Sequence, residues 1–312
     1  MKKKDLDMKH LFIVNPTAGG RDKTAEVRAR ASAAFASRKD EYEVYVTKAP
    51  MDAAHKIEAE AKTAEHLRVY ACGGDGTFNE CVCGAAGKSN VAVAPLPTGT
   101  GNDFCRMFGE EKDLFRDLDA LMNGTERPID LIDCNGRYCA NICSVGVDAR
   151  IGTDVHKYSH IPLIGGATGY VVSAAVNMFK GIATTMDVSC GDVHAEGKHT
   201  LVCACNGRYY GGGFNPSRDA RPDDGVLDVF IAKKVNLVQF AALIGKYAKG
   251  DADQMPSLIT HVRTSGELVI RCQKEDVAQL DGEALRAKEF HIRMVPGALN
   301  LIVPKGMSFF EA

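Results

Sequence analysis

The feature that most constrains the fold is a unit that recurs in the first third of the sequence: a short apolar strand, a loop and a helix. The predicted strand and helix pairs are Leu11–Val14 with Lys23–Arg38, Tyr42–Val46 with Asp52–Glu65, and Leu67–Cys72 with Thr77–Ala86. A fourth strand, Val91–Leu96, precedes a glycine loop, and a helix over Asp113–Met122 closes the series. Alternation of this kind predicts a parallel sheet with crossover helices.

After Pro128 the sequence changes to short apolar runs separated by turn residues. The predicted strands are Ile129–Cys134, Tyr138–Val147, Thr184–Cys190, Thr200–Cys205, Val226–Ala232, Glu267–Cys272 and Phe290–Val295. Helices are expected at Gly169–Phe179 and Asn236–Lys249. A chain of 312 residues favours two cores. We therefore predict an α/β domain over residues 8–128 and an antiparallel β-rich domain over 129–301, with 302–312 as a candidate to return to the first domain.

Composition excludes several classes of protein. A net charge of −2 argues against nucleic acid as a partner, because such partners demand a broad Lys/Arg surface. No apolar run approaches the roughly 20 residues of a membrane span, and no apolar segment follows the basic N-terminus to form a secretory signal. The 11 cysteines form no Cys-x-x-Cys pair and are interpreted as buried thiols in the reducing cytoplasm.

The strongest local motif is Gly73-Gly-Asp-Gly-Thr77, directly after a buried-type strand and directly before a helix. We expect its glycines to permit positive φ and to let a ligand lie on bare backbone. The N–H groups at the start of the following helix would point at a phosphate. The segment therefore predicts a phosphate-binding loop.

Two further loops, Pro97–Asp103 and Asn15–Gly20, end neighbouring strands. Ligands of open α/β sheets bind at the carboxyl edge of the strands, so convergence of the three loops predicts a nucleotide site there. Asp75 and Asp103 would repel a triphosphate, which implies an intervening Mg²⁺ ion or a network of backbone N–H groups. Walker-type and dinucleotide glycine fingerprints are both absent from the sequence, which disfavours NAD-type redox chemistry.

Two downstream turns carry acidic residues. Asp281-Gly-Glu283 offers two carboxylates that could act as a general base and its orienting partner, or form a charged β-turn. Asp223–Asp228 could hold a hard divalent cation or be a hairpin turn.

Taken together, five motifs resemble the diacylglycerol kinase catalytic family, which includes bacterial lipid kinases and sphingosine and ceramide kinases. They are Asn15-Pro16, Gly73–Thr77, Pro97–Phe104, Asp224–Asp228 and Asp281–Glu283. The resemblance implies a Rossmann-like N-terminal domain, a β-sandwich-like C-terminal domain and ATP in the cleft. The residues it implies for ATP binding are Asn15, Pro16, Thr17, Ala18, Gly19, Thr47, Gly73, Gly74, Asp75, Gly76, Thr77, Phe78, Asn79, Thr100, Asn102 and Asp103.

The same resemblance implies that Asp281 and Glu283 take the proton from the acceptor hydroxyl. It also implies a structural Mg²⁺ site formed by Asp224 with the backbone carbonyls of Arg221 and Val226. The expected function is ATP-dependent phosphorylation of the hydroxyl of diacylglycerol or a related lipid alcohol, in phospholipid metabolism. A soluble-metabolite kinase such as NAD kinase, and a catalytically silent nucleotide- or lipid-binding protein, are the alternatives.

A lipid substrate implies peripheral contact with the inner face of the membrane, for which Ile161–Ile164 and the stretch near Met178 are candidates. Whether the chain forms a homodimer stays open. Two residues depart from the family pattern: Ala18 stands where many relatives have Ser, and Gly20 where a Lys is common. Lys23 or Arg21 could supply the phosphate contact that these changes remove.

Overall fold

The computed structural model describes residues 8–98, 102–151 and 182–311. They form two compact units. The first comprises the described residues up to Leu131 together with those from Pro296 onward, and the second is Ile132–Val295. The division falls at 131 and 295, whereas the sequence pattern placed it at 128 and 301. The chain crosses it inside strands β5 (Thr125–Cys134) and β13 (Glu283–Val303), so no loop marks the boundary.

A parallel sheet forms the centre of the first unit. Its strands β1 (Met8–Val14), β2 (Glu41–Val46), β3 (His66–Gly73) and β4 (Val91–Pro97) lie in the order β2-β1-β3-β4. All of these pairings are parallel, and β4 also pairs in parallel with Asn300 and Leu301 of β13. The residues of β3 and β4 are almost all buried, as expected for a parallel sheet with both faces covered.

The helices of the first unit are α1 (Thr24–Phe35), α2 (Asp52–Glu60), α3 (Asp75–Ala85), α4 (Asp103–Arg106) and α5 (Leu118–Met122). Helix α2 ends earlier than predicted because the side chain of Asn90 donates to the carbonyls of Ala61 and Ala64 just beyond it. The single helix predicted over Asp113–Met122 is wrong. A 3-10 helix ends at Arg116, and Asp117 has an extended backbone while its carboxylate caps the start of α5.

The second unit is built on an antiparallel sheet. Its remaining strands are β6 (Arg137–Cys139), β7 (Ile142–Gly146), β8 (Thr184–Cys190), β9 (Val193–Cys205), β10 (Leu227–Lys233), β11 (Ile259–Thr264) and β12 (Leu268–Leu280). They lie in the order β11-β10-β9-β7-β12-β13, with β8 paired to β9 and β12. Helix α6 (Leu237–Tyr247) follows β10.

Two hydrophobic clusters stabilise this unit. One contains Val188, Ile270 and Phe290, and the other contains Ile142 with Leu243 of α6. All eleven cysteines are free thiols in the described part of the chain, and ten of them are buried. Their expected role as small buried side chains is confirmed. Among the described residues, no helix combines the length and apolarity that crossing a bilayer requires. The helix predicted over Gly169–Phe179 lies outside the described residues.

Candidate active site

The three glycine-containing loops of the first unit begin at the same edge of the parallel sheet. Val14 is in register with Cys72, and Cys72 is in register with Leu96, so β1, β3 and β4 end level with one another. Backbone hydrogen bonds join the loops where they leave the sheet: the N–H of Asn15 donates to Cys72, and that of Thr98 donates to Gly73. The structure therefore brings the predicted loops together.

The loop after β1 is held by its own side chains. The Asn15 carboxamide oxygen accepts hydrogen bonds from the backbone N–H and the hydroxyl of Thr17, at 3.0 and 2.8 Å. Pro16 lies between Asn15 and Thr17, and Ala18 follows Thr17. Gly19 and Gly20 have φ values of 68° and 73°. The left-handed backbone at position 20 favours glycine over lysine. Thr47 lies beside this loop, and its N–H donates to the carbonyl of Val14 at 2.9 Å.

Of the two cations considered for this loop, only one is already paired. The Lys23 ammonium lies 2.7 Å from a carboxylate oxygen of Glu26. Arg21 is exposed and forms no ion pair with any residue that the structure describes. Arg21 is therefore the more available cation.

The Gly73–Thr77 segment forms the start of α3. Gly74 occupies the N-cap position, so the first-turn N–H groups of Gly76 and Thr77 receive no capping side chain from it. Such groups are available to an anion. The expectation of positive φ in this segment is wrong, because Gly73, Gly74 and Gly76 all adopt negative φ.

Close packing, rather than backbone conformation, explains the glycine at position 73. A Cβ atom there would lie 2.2 Å from the hydroxyl oxygen of Thr77, whose side chain is buried. Phe78 and Asn79 of the same helix are also buried, and the ring of Phe78 lies 4.6 Å from that of Phe104 in α4. The two helix starts are therefore packed against each other.

The carboxylates of Asp75 and Asp103 each contact a hydrogen-bond donor of the protein. One carboxylate oxygen of Asp75 accepts the backbone N–H of Asp103 at 2.7 Å. The carboxylate of Asp103 is buried and lies 3.0 Å from Nε of Arg106. Arg106 was not singled out from the sequence, although its position three residues after Asp103 on a helix places the two side chains on one face. Asn102 is half-buried beside this pair, and Thr100 lies outside the described residues.

In the second unit, Asp281 and Glu283 form the hairpin between β12 and β13. Asp281 (φ 49°) and Gly282 (φ 98°) both have left-handed backbones. The Asp281 carboxylate accepts hydrogen bonds from the backbone N–H groups of Ala140, Asn141 and Ile142, at 2.8 to 3.2 Å. These bonds interrupt the strand predicted over Tyr138–Val147, which is divided into β6 and β7.

The two acids of this hairpin therefore differ in their surroundings. The lone pairs of Asp281 are directed at backbone donors, which fixes its position. Glu283 has an exposed side chain that forms no hydrogen bond or ion pair with the part of the chain described here. Glu283 is thus the carboxylate with a free acceptor oxygen.

The turn that contains Asp224 is the predicted Mg²⁺ site. One carboxylate oxygen of Asp224 accepts the N–H of Val226 at 3.0 Å, and the other lies 3.1 Å from Nη2 of Arg263. The Arg221 side chain points to Asp223, with Nε 3.1 Å from its carboxylate. A carboxylate with nearby backbone carbonyls suits a hard cation such as Mg²⁺. Both oxygens of the Asp224 carboxylate contact N–H groups of the protein, and the Mg²⁺ site at Arg221, Asp224 and Val226 stays a prediction.

Asp148 of the second unit, a half-buried acid, is not indicated by the sequence pattern. Asp148 accepts hydrogen bonds from the hydroxyls of Ser144 and Tyr210, at 2.6 and 2.9 Å, and Tyr210 in turn contacts the Tyr247 hydroxyl at 3.2 Å. Burial raises the pKa of Asp148, and the two hydroxyl hydrogen bonds oppose that rise. Its only sequence signal is an acid shortly after a buried strand.

Comparison with known proteins agrees with this arrangement. Residues 9–134 match the family described as the diacylglycerol kinase catalytic domain. Residues 141–303 match the family described as the YegS C-terminal NAD kinase beta sandwich-like domain. The protein is a two-domain kinase of the lipid type, and the chain belongs to the diacylglycerol kinase family.

Individual relatives extend over nearly the whole chain. A Pseudomonas aeruginosa protein named "Probable lipid kinase YegS-like" is 30% identical over 303 residues, which cover 97% of this chain and 96% of that protein. The Bacillus subtilis protein named "Diacylglycerol kinase" is 30% identical over 242 residues, with coverages of 77% and 78%. The crystal structure of a diacylglycerol kinase from Bacillus anthracis has the same fold, with a TM-score of 0.69, 22% identity and coverages of 98% and 100%.

Proposed function

We propose that this kinase transfers the γ-phosphoryl group of ATP to the hydroxyl of diacylglycerol or a related lipid alcohol. The observation that carries the proposal is the hydrogen bond between Asp75 and the backbone of Asp103, which ties two glycine loops together at one edge of a parallel sheet. Nucleotides bind at this edge in open α/β sheets. The name of the Bacillus subtilis relative supports diacylglycerol as the acceptor.

In this proposal the phosphates lie against the start of α3. The first-turn N–H groups of α3 donate to phosphate oxygens, and the positive end of the helix dipole favours their charge. The Asp103 charge is offset by Arg106, and Arg21 supplies a further cation. The remaining nucleotide contacts are assigned to the residues that the family resemblance implies, including Thr100.

The acceptor hydroxyl is activated by the Asp281-Gly-Glu283 hairpin. The Glu283 carboxylate takes the hydroxyl proton as the lipid oxygen bonds to the γ-phosphorus, while the bond between that phosphorus and the β-phosphate oxygen breaks and ADP leaves. Asp281 acts as a positioning residue, because its carboxylate is fixed by three backbone N–H groups. The sequence predicts a general base with an orienting partner, and this proposal assigns the base to Glu283 and the orienting role to Asp281.

A Mg²⁺ ion would be held by Asp224 and the carbonyls of Arg221 and Val226. A cation held by these residues would supply positive charge beside the Asp224 carboxylate and would stabilise the turn. The Arg263 guanidinium already supplies positive charge to one oxygen of the same carboxylate. The turn is therefore proposed as a structural cation site.

The test is a phosphorylation assay with radiolabelled ATP and Mg²⁺ against a panel of lipid alcohols, with NAD as a soluble acceptor. We expect label in diacylglycerol or a related lipid, and none in NAD. Glu283→Gln should lower kcat by about 10²–10⁴-fold, the usual contribution of a general base, with ATP binding unchanged. Glu275→Gln, at another exposed glutamate of the same unit, is the matched control and should retain full activity. Label in NAD alone, or full activity of Glu283→Gln, would contradict the proposal.

A further inference from the structure

Helix α6 of the second unit has an apolar outer face. Val238 is 81% exposed, and Ala242 and Gly245 are exposed at the following positions of the same face. The opposite face of α6 packs against the core, since Leu243 and Tyr247 are buried in a hydrophobic cluster of the unit. The exposed side of a surface helix is normally polar, so this helix is apolar on two sides.

The start of the helix is fixed independently of any partner. The Asn236 side chain accepts the N–H of Gln239 at 2.9 Å, and the Gln239 side chain accepts the N–H of Asn236 at 3.0 Å. This capping box satisfies two of the N–H groups that a helix start leaves open. The outer face is therefore presented on an ordered helix.

Lysines precede and follow the outer face along the chain. Lys233 and Lys234 lie at the end of β10 just before the helix, and Lys246 and Lys249 lie in and after its last turn. All four are exposed, and none forms an ion pair with the residues that the structure describes. The sequence from Val229 to Gly250 contains these four lysines and no Asp or Glu. After Gly250, the first acidic residue is Asp251, which forms an ion pair with Arg218. The next acidic residue, Asp253, is exposed.

We infer that this outer face, Val238, Ala242 and Gly245 with its four lysines, docks the protein on an anionic phospholipid surface. An apolar helix face flanked by lysines is the pattern of helices that lie in the membrane interface. Lysines near such a surface are attracted by its negative potential, whereas an apolar partner protein would not require them. The inference rests on the proposed function, because a kinase of a membrane lipid has to reach its acceptor.

The first test is flotation with vesicles. The wild-type protein should float with vesicles of equal parts phosphatidylcholine and phosphatidylglycerol, remain unbound with phosphatidylcholine alone, and be released by added NaCl as the charges are screened. Val238→Glu should weaken binding by at least about tenfold, whereas Val238→Leu should retain it. A glutamate in the first helical turn is favourable to the helix, so the loss would not arise from unfolding.

A charge-reversal pair gives an independent test. Lys246→Glu should weaken vesicle binding by about tenfold, and Lys274→Glu, at an exposed lysine of β12 outside the four, should leave it unchanged. Unchanged binding of both Val238→Glu and Lys246→Glu, or equal binding to neutral vesicles, would overturn the inference. So would a change from dimer to monomer in Val238→Glu, measured by light scattering, because the outer face would then belong to a second copy.

Activity assays separate this inference from the proposed function. Val238→Glu should phosphorylate a short-chain diacylglycerol dispersed in water at the wild-type rate, but should lose turnover on diacylglycerol in anionic vesicles in proportion to lost binding. If Val238→Glu retained wild-type turnover on diacylglycerol in anionic vesicles as well as on the dispersed short-chain lipid, the proposed docking surface would be wrong. Wild-type protein that binds anionic vesicles through Val238 yet phosphorylates neither lipid would overturn the proposed acceptor and leave the docking surface supported.

Discussion

A carboxylate oxygen of Asp75 accepts the backbone N–H of Asp103 at 2.7 Å, so the first residue of α3 is bonded to the first residue of α4. Asp75 thereby holds the loop after β4 beside the loop after β3. The bond gives this aspartate a structural task in addition to any contact with a nucleotide or metal.

Asp75→Ala should therefore lower the affinity for ATP by about tenfold, because a hydrogen bond to an ionised acceptor contributes about 1.5–3 kcal/mol. Asp75→Asn retains an oxygen that can accept the Asp103 N–H and should bind ATP nearly as the wild type does. Isothermal titration with ATP and Mg²⁺ measures both. Equal affinities of the alanine variant and the wild type would show that the bond does not order the site.

Asp281→Asn should reduce stability, whereas Glu283→Gln should not. Asparagine tolerates the left-handed backbone at position 281, but its amide group can accept fewer of the three N–H bonds. We expect the free energy of unfolding to fall by about 2 kcal/mol for Asp281→Asn, and to change by less than about 0.5 kcal/mol for the exposed Glu283. Urea denaturation checks both values, and equal stability of the two variants would refute the positioning role of Asp281.

Two glycines in helices should respond to alanine in opposite directions. At Gly84 in α3 a Cβ would lie 2.7 Å from the Cα of Ala54 in α2. Overpacking costs about 1–3 kcal/mol and exceeds the gain of about 1 kcal/mol in helix propensity, so Gly84→Ala should lower the melting temperature. At Gly245 in α6 there is open space, and alanine should stabilise by about 0.5–1 kcal/mol. Thermal unfolding measures the signs, and two shifts of the same sign would contradict the packing described.

The buried His10 should make stability depend on pH. Burial, with the positive charge of Arg68, lowers the pKa of His10 to about 4. The unfolded chain therefore binds a proton at this histidine more readily than the folded one, and stability present above about pH 6.5 is lost as the pH falls to about 4. The loss amounts to about 3 kcal/mol.

His10→Asn is the variant that tests this pH dependence. Its amide can replace the ring nitrogen that bonds to the Tyr70 hydroxyl at 2.9 Å, yet it does not titrate. Urea denaturation at several pH values should show a smaller fall for the variant across this window. Parallel curves for the two proteins would assign the pH dependence to other groups.

The sequence predicts the strands and turns that depend only on residues close to one another in the chain. The apolar strands ending at Val14, Cys72 and Leu96 are found where their pattern placed them, since β1, β3 and β4 are buried on both faces. The turn at Asp281 and Gly282 follows from residue types that tolerate positive φ.

Features caused by distant residues are not visible in a local pattern. The break between β6 and β7 is caused by Asp281, about 140 positions later in the chain, and the end of α2 by Asn90. The glycine at position 73 was explained by backbone freedom, whereas the buried Thr77 side chain is the cause. Likewise, β11 alternates exposed His261 and Arg263 with partly buried residues, a pattern too polar to indicate a strand.

The pairing of β4 with Asn300 and Leu301 has a consequence for synthesis of the chain. The edge of β4 stays without its neighbour until Ile132–Val295 has been translated, which takes roughly 10–30 s at ordinary elongation rates. An open edge of this kind is a template for aggregation. A fragment ending at Leu131 would carry that open edge permanently, so we expect recombinant production of the first unit to require fusing residues 296–311 to it.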